Sequence, residues 1–146
     1  ASPGQARVEL ESVVEQWQLF RPAVELIRKN RLDGPVSVDA AVGHLLLVLL
    51  NNAADASEQA GIAKVELALE TGGGSLVGRI RDFGVGFEQA VPTLPGELMR
   101  TSKPGGLGIG LALSHATIER LGGELSMASA GEGGGVIVSF RLPNET

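Results

Sequence analysis

The sequence predicts a single α+β domain, with helices concentrated in the first half and glycine-punctuated β-hairpins in the second. Two observations carry this expectation. Apolar residues recur at helical spacing in two segments before residue 60, and 17 of the 21 glycines lie from Gly72 onward. Bulk composition sets the scale: 146 residues, 43% hydrophobic and 20% charged, suffice for one globular core.

The first helical segment is "ELESVVEQWQLFRP". Leu10, Val13, Val14, Trp17 and Phe20 share one face, and Pro22 ends the helix. "AVELIRKN" and "PVSVD" then read as short strands around the turn signal Asp33-Gly34. Asp39 stands as the cap of the longest helix, which runs to about Gln59 with Gly61 as its stop. Its apolar stripe is Val42, Leu45, Leu46, Leu49, Ala53 and Ala56. "AKVELALE" and "SLVGRIRD" alternate in polarity about Thr71-Gly72-Gly73-Gly74, which predicts a hairpin. A stretch without sustained periodicity follows, "DFGVGFEQAVPTLPGELMRTSKPGG". A segment of that length in a compact domain points to function, here a lid over a ligand spanning about 87–106. A helix from about Leu107 to Leu121 and a last hairpin, "ELSMAS" with "GVIVSFRLP" across Gly131 to Gly135, complete the chain. "ASPGQ" reads as a linker or cloning remnant, so residues 1–7 are set apart from a domain spanning 8–146.

A net charge of −5 argues against nucleic-acid binding, which requires a basic face. Backbone amides and a single lysine still suffice to hold an anion locally. There is no cysteine, hence no disulfide or thiolate chemistry, which fits a reducing cytoplasm. The longest apolar run, Leu45 to Leu50, is too short for a bilayer, so no direct membrane contact by this domain is expected.

Three constellations stand where a pocket forms. In "LLNNAADAS", Asn52 lies seven residues after Leu45 and so faces nearly inward, either as a hydrogen-bonded core amide or as a ligand. In "RDFGVGF", Asp82 leaves a strand and is followed by Gly84 and Gly86. Such an aspartate accepts from an amino group, and the glycines admit a flat ligand. In "TSKPGGLGIGLALS", the alternating Gly106, Gly108 and Gly110 open a helix whose amides and dipole suit phosphate. That loop is neither a Walker loop, since Lys103 precedes the glycines, nor a dinucleotide fingerprint, since the third glycine comes one residue early.

The order of these motifs resembles the GHKL superfamily of ATP-binding domains, and most closely the catalytic domain of bacterial sensor histidine kinases. "HLLLVLLNNAADAS" is similar to its N box, "RDFGVGF" to its first glycine box and "GGLGIGLALS" to its second. "ELMRTSKP" resembles the segment that precedes the second box, and the final hairpin also ends in Leu-Pro. The wording "LLNNAADAS" is similar to the RegB/PrrB-like branch. The resemblance implies a two-layer sandwich, a mixed sheet of about five strands with helices on one face and an ATP lid. It implies Mg²⁺ ligation by the Asn52 oxygen, adenine recognition by Asp82, and room for adenine at Gly84 and Gly86. It further implies that Gly106, Gly108 and Gly110 wrap the triphosphate and that Leu111 begins the helix facing it. Ser102 and Lys103 would approach the phosphates, although Lys103 also reads as a solvated lid lysine.

The departures matter as well. ATP-hydrolysing relatives such as gyrase and HSP90 place a glutamate base where this chain has Val48. Many kinases have an asparagine there, and many carry a basic residue and an aromatic where this chain has Asp55 and Ala56. Met99 and Arg100 replace the two usual phenylalanines. His44 and His115 lie outside the phosphoacceptor setting, so the resemblance implies an acceptor on a separate dimerisation and phosphotransfer domain, with a response regulator as indirect partner. The alternatives are an ATP-hydrolysing machine of the same superfamily and a nucleotide-binding pseudokinase acting by protein contact.

Overall fold

The structure is a computed structural model that describes residues 7–29, 32, 34–84, 107–130 and 134–143, with the backbone alone over 107–113. The elements in order are β1 (Arg7–Glu9), α1 (Leu10–Phe20), β2 (Glu25–Arg28), β3 (Ser37–Asp39), α2 (Ala40–Gln59), β4 (Lys64–Gly72), β5 (Ser75–Asp82), α3 (Leu107–Arg120), β6 (Glu124–Ser129) and β7 (Val136–Pro143). Five strands form a mixed sheet in the order β2-β4-β5-β7-β6, in which β2 and β4 are parallel and the other neighbours antiparallel. The helices pack on one face of it, as the resemblance implies.

Alternation decides which side chains face them. On β4, Val65, Leu67 and Leu69 are buried, and on β5 Leu76 and Ile80 are. Phe140 and Leu142 of β7 continue the same layer, against Leu45, Leu46, Leu49, Leu50 and Ala53 of α2 and Ile118 of α3. Phe140 lies directly across from Gly78, and a Cβ at Gly78 would stand inside its ring.

The helix signals act as expected. The Asp39 carboxylate accepts from the Ala41 N–H at 2.8 Å and caps α2. At the other end Gly61, at φ +82°, closes a Schellman turn in which Gly61 N–H donates to the Glu58 carbonyl and Ile62 N–H to the Ser57 carbonyl. Gly122, at φ +83°, ends α3 by the same two bonds, Gly122 to Glu119 and Gly123 to Ile118.

The two short strands read from the sequence on either side of the Asp33-Gly34 signal are present but do not pair with each other: β2 pairs with β4, while β3 pairs with β1 in a separate two-stranded sheet. Parallel partners need a crossover connection, and α2 supplies it between β2 and β4. Val8 of that small sheet packs on α2, where a Cβ at Gly43 would come within 2.9 Å of Val8 Cγ2. Arg7 is the first residue of β1. One expectation is corrected: Phe20, read on the apolar face of α1, is 85% exposed while Leu10, Val13, Val14 and Trp17 are buried. The end of α1 is held to α2 by polar bonds from Trp17 and Arg21 instead.

Gly78→Val is expected to destabilise the fold by about 1–3 kcal/mol, because the Phe140 ring must leave its place. Chemical denaturation of the variant measures it.

Candidate functional site

Strand β5 delivers the first site residue. Leu76, Gly78 and Ile80 form its inward stripe, and Asp82 is the next member, 9% exposed. A carboxylate on a buried stripe must be satisfied by hydrogen bonds. Asp82 Oδ1 accepts from the Gly84 N–H at 2.9 Å and from the Val136 N–H at 3.1 Å. Two main-chain donors on one oxygen fix the carboxylate's orientation.

Helix α2 delivers the second. Val48, Asn52 and Ala56 are half-buried and spaced four residues apart, so they form a stripe beside the packed one of Leu45, Leu49 and Ala53. Asn52 Nδ2 is buried and has no hydrogen-bond partner among the described residues. The core-asparagine reading requires a fully bonded amide, and among the described residues its nitrogen has no partner. Neighbouring Asn51 is exposed and turned the other way, its Oδ1 accepting from Trp17 Nε1 at 2.9 Å and from Arg21 at 3.3 Å.

The two elements meet at one joint. The Ser57 hydroxyl, wholly buried on α2, accepts from the Phe83 N–H at 2.8 Å. One residue along, a Cβ at Gly84 would come within 2.9 Å of the Ala56 carbonyl oxygen. The glycine at 84 therefore lets the turn after β5 sit against the helix backbone, a role additional to the expected room for adenine. Phe83 points elsewhere, with the Arg81 guanidinium 4.5 Å and the Lys64 ammonium 5.3 Å from its ring centroid.

The β6–β7 turn forms a further wall. Gly135, buried at φ +98°, lies so close to Asp82 that a Cβ would collide with its carbonyl oxygen. A Cβ at Gly134, at φ +74°, would come within 3.1 Å of the Gly84 carbonyl oxygen. Sequence reasoning treated this glycine run as a hairpin turn and missed Ser57 and Val136. Ser57 did carry a signal, being a polar residue four after Ala53 on the buried face. The Val136 contribution is a backbone N–H and has no signature in residue type.

Gly86, Ser102, Lys103 and Gly106 lie outside the described residues, as do the lid over 87–106 and the Met99 and Arg100 departures. Gly108, Gly110 and Leu111 fall within α3, which begins at Leu107, so Leu111 sits in the second turn and does not open the helix. His44 is exposed, and His115 Nε2 lies 3.6 Å from Glu119 Oε2 one turn on.

The arrangement offers an oriented acceptor at Asp82 and an unsatisfied amide at Asn52, joined by Ala56 and Ser57. No cluster of three His, Cys, Asp or Glu suited to a metal occurs among the described residues. A magnesium ion needs few protein ligands when phosphate oxygens and water supply the rest, and one amide oxygen fits that demand. Gly135→Ala is expected to cost about 2 kcal/mol or more, since it strains a positive-φ site and displaces Asp82. Thermal denaturation checks the stability loss, and nucleotide titration checks the loss of the acceptor.

Residues 37–146 match the family of histidine kinase-, DNA gyrase B- and HSP90-like ATPases. The sensor protein TdiS of Thauera aromatica is 41% identical over 75 residues, which are 51% of this chain and 14% of that protein. The autoinducer 2 sensor kinase/phosphatase LuxQ of Vibrio cholerae serotype O1 is 33% identical over 112 residues, which are 71% of this chain and 13% of that protein. The chain thus spans a small part of both relatives. A mycobacterial sensor histidine kinase structure, MprB, shares the fold with a TM-score of 0.73 at 24% identity, covering 97% of this chain and 98% of that one. The chain belongs to the family of histidine kinase-, DNA gyrase B- and HSP90-like ATPases.

Proposed function

We propose that the chain is the Mg-ATP-binding catalytic domain of a sensor histidine kinase. It presents the γ-phosphate of ATP to a histidine on a separate dimerisation and phosphotransfer domain, and so serves a response regulator. The observation that carries the adenine site is Asp82, a buried carboxylate held by the Gly84 and Val136 amides. An acceptor so placed selects a base with an amino donor, which adenine has. Glycines at 84 and 86 let the base lie close to the backbone.

Asn52 would hold a magnesium ion through its side-chain oxygen, and such an ion would supply positive charge beside the phosphates. Ser102, Lys103, Gly106, Gly108 and Gly110 close on the triphosphate, with the N-terminus of α3 adding its dipole. The protein's own contribution is to bind, orient and exclude water, since phosphoryl transfer asks for little covalent work. The acceptor histidine lies elsewhere: His44 is exposed near the start of α2, and His115 pairs with Glu119 within α3. No described helix is long and apolar enough to cross a membrane. The domain works in the cytoplasm, with any anchor in other parts of the parent protein. Assignment to the RegB/PrrB-like branch rests on the wording "LLNNAADAS" alone.

Val48 favours transfer over hydrolysis. It is half-buried one turn before Asn52, and a valine cannot take a proton from an attacking water. An ATP-hydrolysing machine would turn over ATP in isolation, and a pseudokinase would fail to phosphorylate an added dimerisation domain.

Mg-ATP and Mg-ADP are expected to raise the melting temperature of this chain, and no shift with either would overturn the proposal. Asn52→Ala is expected to weaken Mg-ATP binding at least about tenfold while changing ligand-free stability by less than about 1 kcal/mol, because the amide it removes is already unsatisfied. His115→Ala is expected to change binding little, and equal losses from the two substitutions would remove Asn52 from the site.

A further inference from the structure

Helix α2 carries no lysine or arginine between Ala40 and Gln59, yet it presents two carboxylates, Asp55 and Glu58, one and two turns past Asn52. A helix flank of that charge opposes a triphosphate. The structure brings a cation to this flank from another element. Arg21, the residue that ends α1, donates from NH1 to Asp55 Oδ1 at 3.1 Å and to Asn51 Oδ1 at 3.3 Å, and from NH2 to Glu58 Oε1 at 3.0 Å. Asn51, Asp55 and Glu58 follow at spacings of four and three, so they form one stripe directly beside the stripe of Asn52.

We infer that Arg21 is the cation of the phosphate end of the nucleotide site, held on α2 by the carboxylates that stand where a basic residue would serve. The inference rests on Asn52 marking the phosphate end. Asp55 lies three residues from Asn52, a separation that puts side chains roughly 5–6 Å apart at Cβ. A guanidinium bonded to Asp55 is therefore one side-chain length from the Asn52 amide. Its partners are weakly held: the Asp55 and Glu58 side chains are 59% and 43% exposed, and exposed ion pairs exchange partners at little cost. The guanidinium has five donors in a plane, so it can add a phosphate oxygen without releasing every carboxylate. The backbone beneath it is firm. Arg21 N–H donates to the Trp17 carbonyl at 3.0 Å, and the buried Trp17 ring is tied by Nε1 to the same Asn51 oxygen that Arg21 reaches.

This role separates from simple helix packing by its dependence on phosphate. Calorimetric titration of the chain with ATP, ADP and adenosine, each with Mg²⁺, reads it directly. Arg21→Gln is expected to weaken ATP about tenfold, ADP less, and adenosine by no more than about twofold. Adding Asp55→Asn and Glu58→Gln to that variant is expected to recover only part of the ATP affinity, because the repulsion of the carboxylates is then gone but the guanidinium contact is not replaced; full recovery would overturn the inference. Asp55→Asn alone, which leaves Arg21 bonded to Asn51 and Glu58, is expected to tighten ATP severalfold and adenosine not at all. Equal losses for all three ligands in Arg21→Gln would overturn the inference and leave Arg21 as a packing residue. If Arg21→Gln does not fold, the Asp55→Asn result decides: unchanged or weaker ATP binding overturns the inference. Failure of the unaltered chain to bind any of the three ligands would instead overturn the underlying site reading.

Discussion

The proposed nucleotide site depends on one joint, the seat of the turn after β5 on the backbone of α2. Ser57 accepts the Phe83 N–H, and Gly84 rests against the Ala56 carbonyl where no side chain would fit. This joint sets the distance between Asp82, which ends a strand, and Asn52, which rides a helix. Neither residue touches the other in sequence or shares an element with it. Their common frame is the packing of α2 on β4 and β5, with Leu49 and Ala53 in the same buried core as Ile80.

Several devices converge on Asp82 because a buried carboxylate is expensive. Its Oδ1 takes two main-chain donors, and Gly135 brings the β6–β7 turn within contact of its backbone. Solving the desolvation problem in this way also solves an orientation problem, since a carboxylate bound by the backbone cannot rotate freely. At Asn52 the fold does the opposite. An amide nitrogen is buried without a partner, a cost that a site retained for ligand binding accepts and a pure core would not. The contrast is between a carboxylate whose orientation the backbone fixes and an amide whose nitrogen has no partner among the described residues.

The periphery compensates for the composition of α2. That helix is apolar over its first half and acidic toward its end, with Asp55 and Glu58 beside the stripe that carries Asn52. Arg21 and Trp17 of α1 meet it there, so α1 acts as more than a cover for the core. Leaving Phe20 in solvent accompanies that choice, since the last turn of α1 spends its contact on the Arg21 network. Family membership follows from the match over residues 37–146, while β1, α1 and β2 precede that span, so the contribution of α1 is read from this chain's own contacts.

Much was legible in the sequence. Helical periodicity located α1 and α2, the Asp39 cap and the Gly61 stop bounded α2, and alternation with glycine turns located β4, β5 and the last hairpin. These signals are local, because capping, positive φ and periodicity act within a few residues. The motif order made Asn52, Asp82 and Gly84 stand out together. Strand partners were not legible: β2 chose β4 and β3 chose β1, because pairing is decided by which elements α2 brings alongside. Nor were the Val136 N–H at Asp82, the Ser57 bond to Phe83, or the reach of Arg21 to Asp55. Main-chain donors carry no residue signature, and a contact across 34 positions exists only once the helices have packed. Sequence alone proposed Asn52, Asp82 and Gly84 as a group, because motif order is local information, and tertiary packing decided what holds each of them in place.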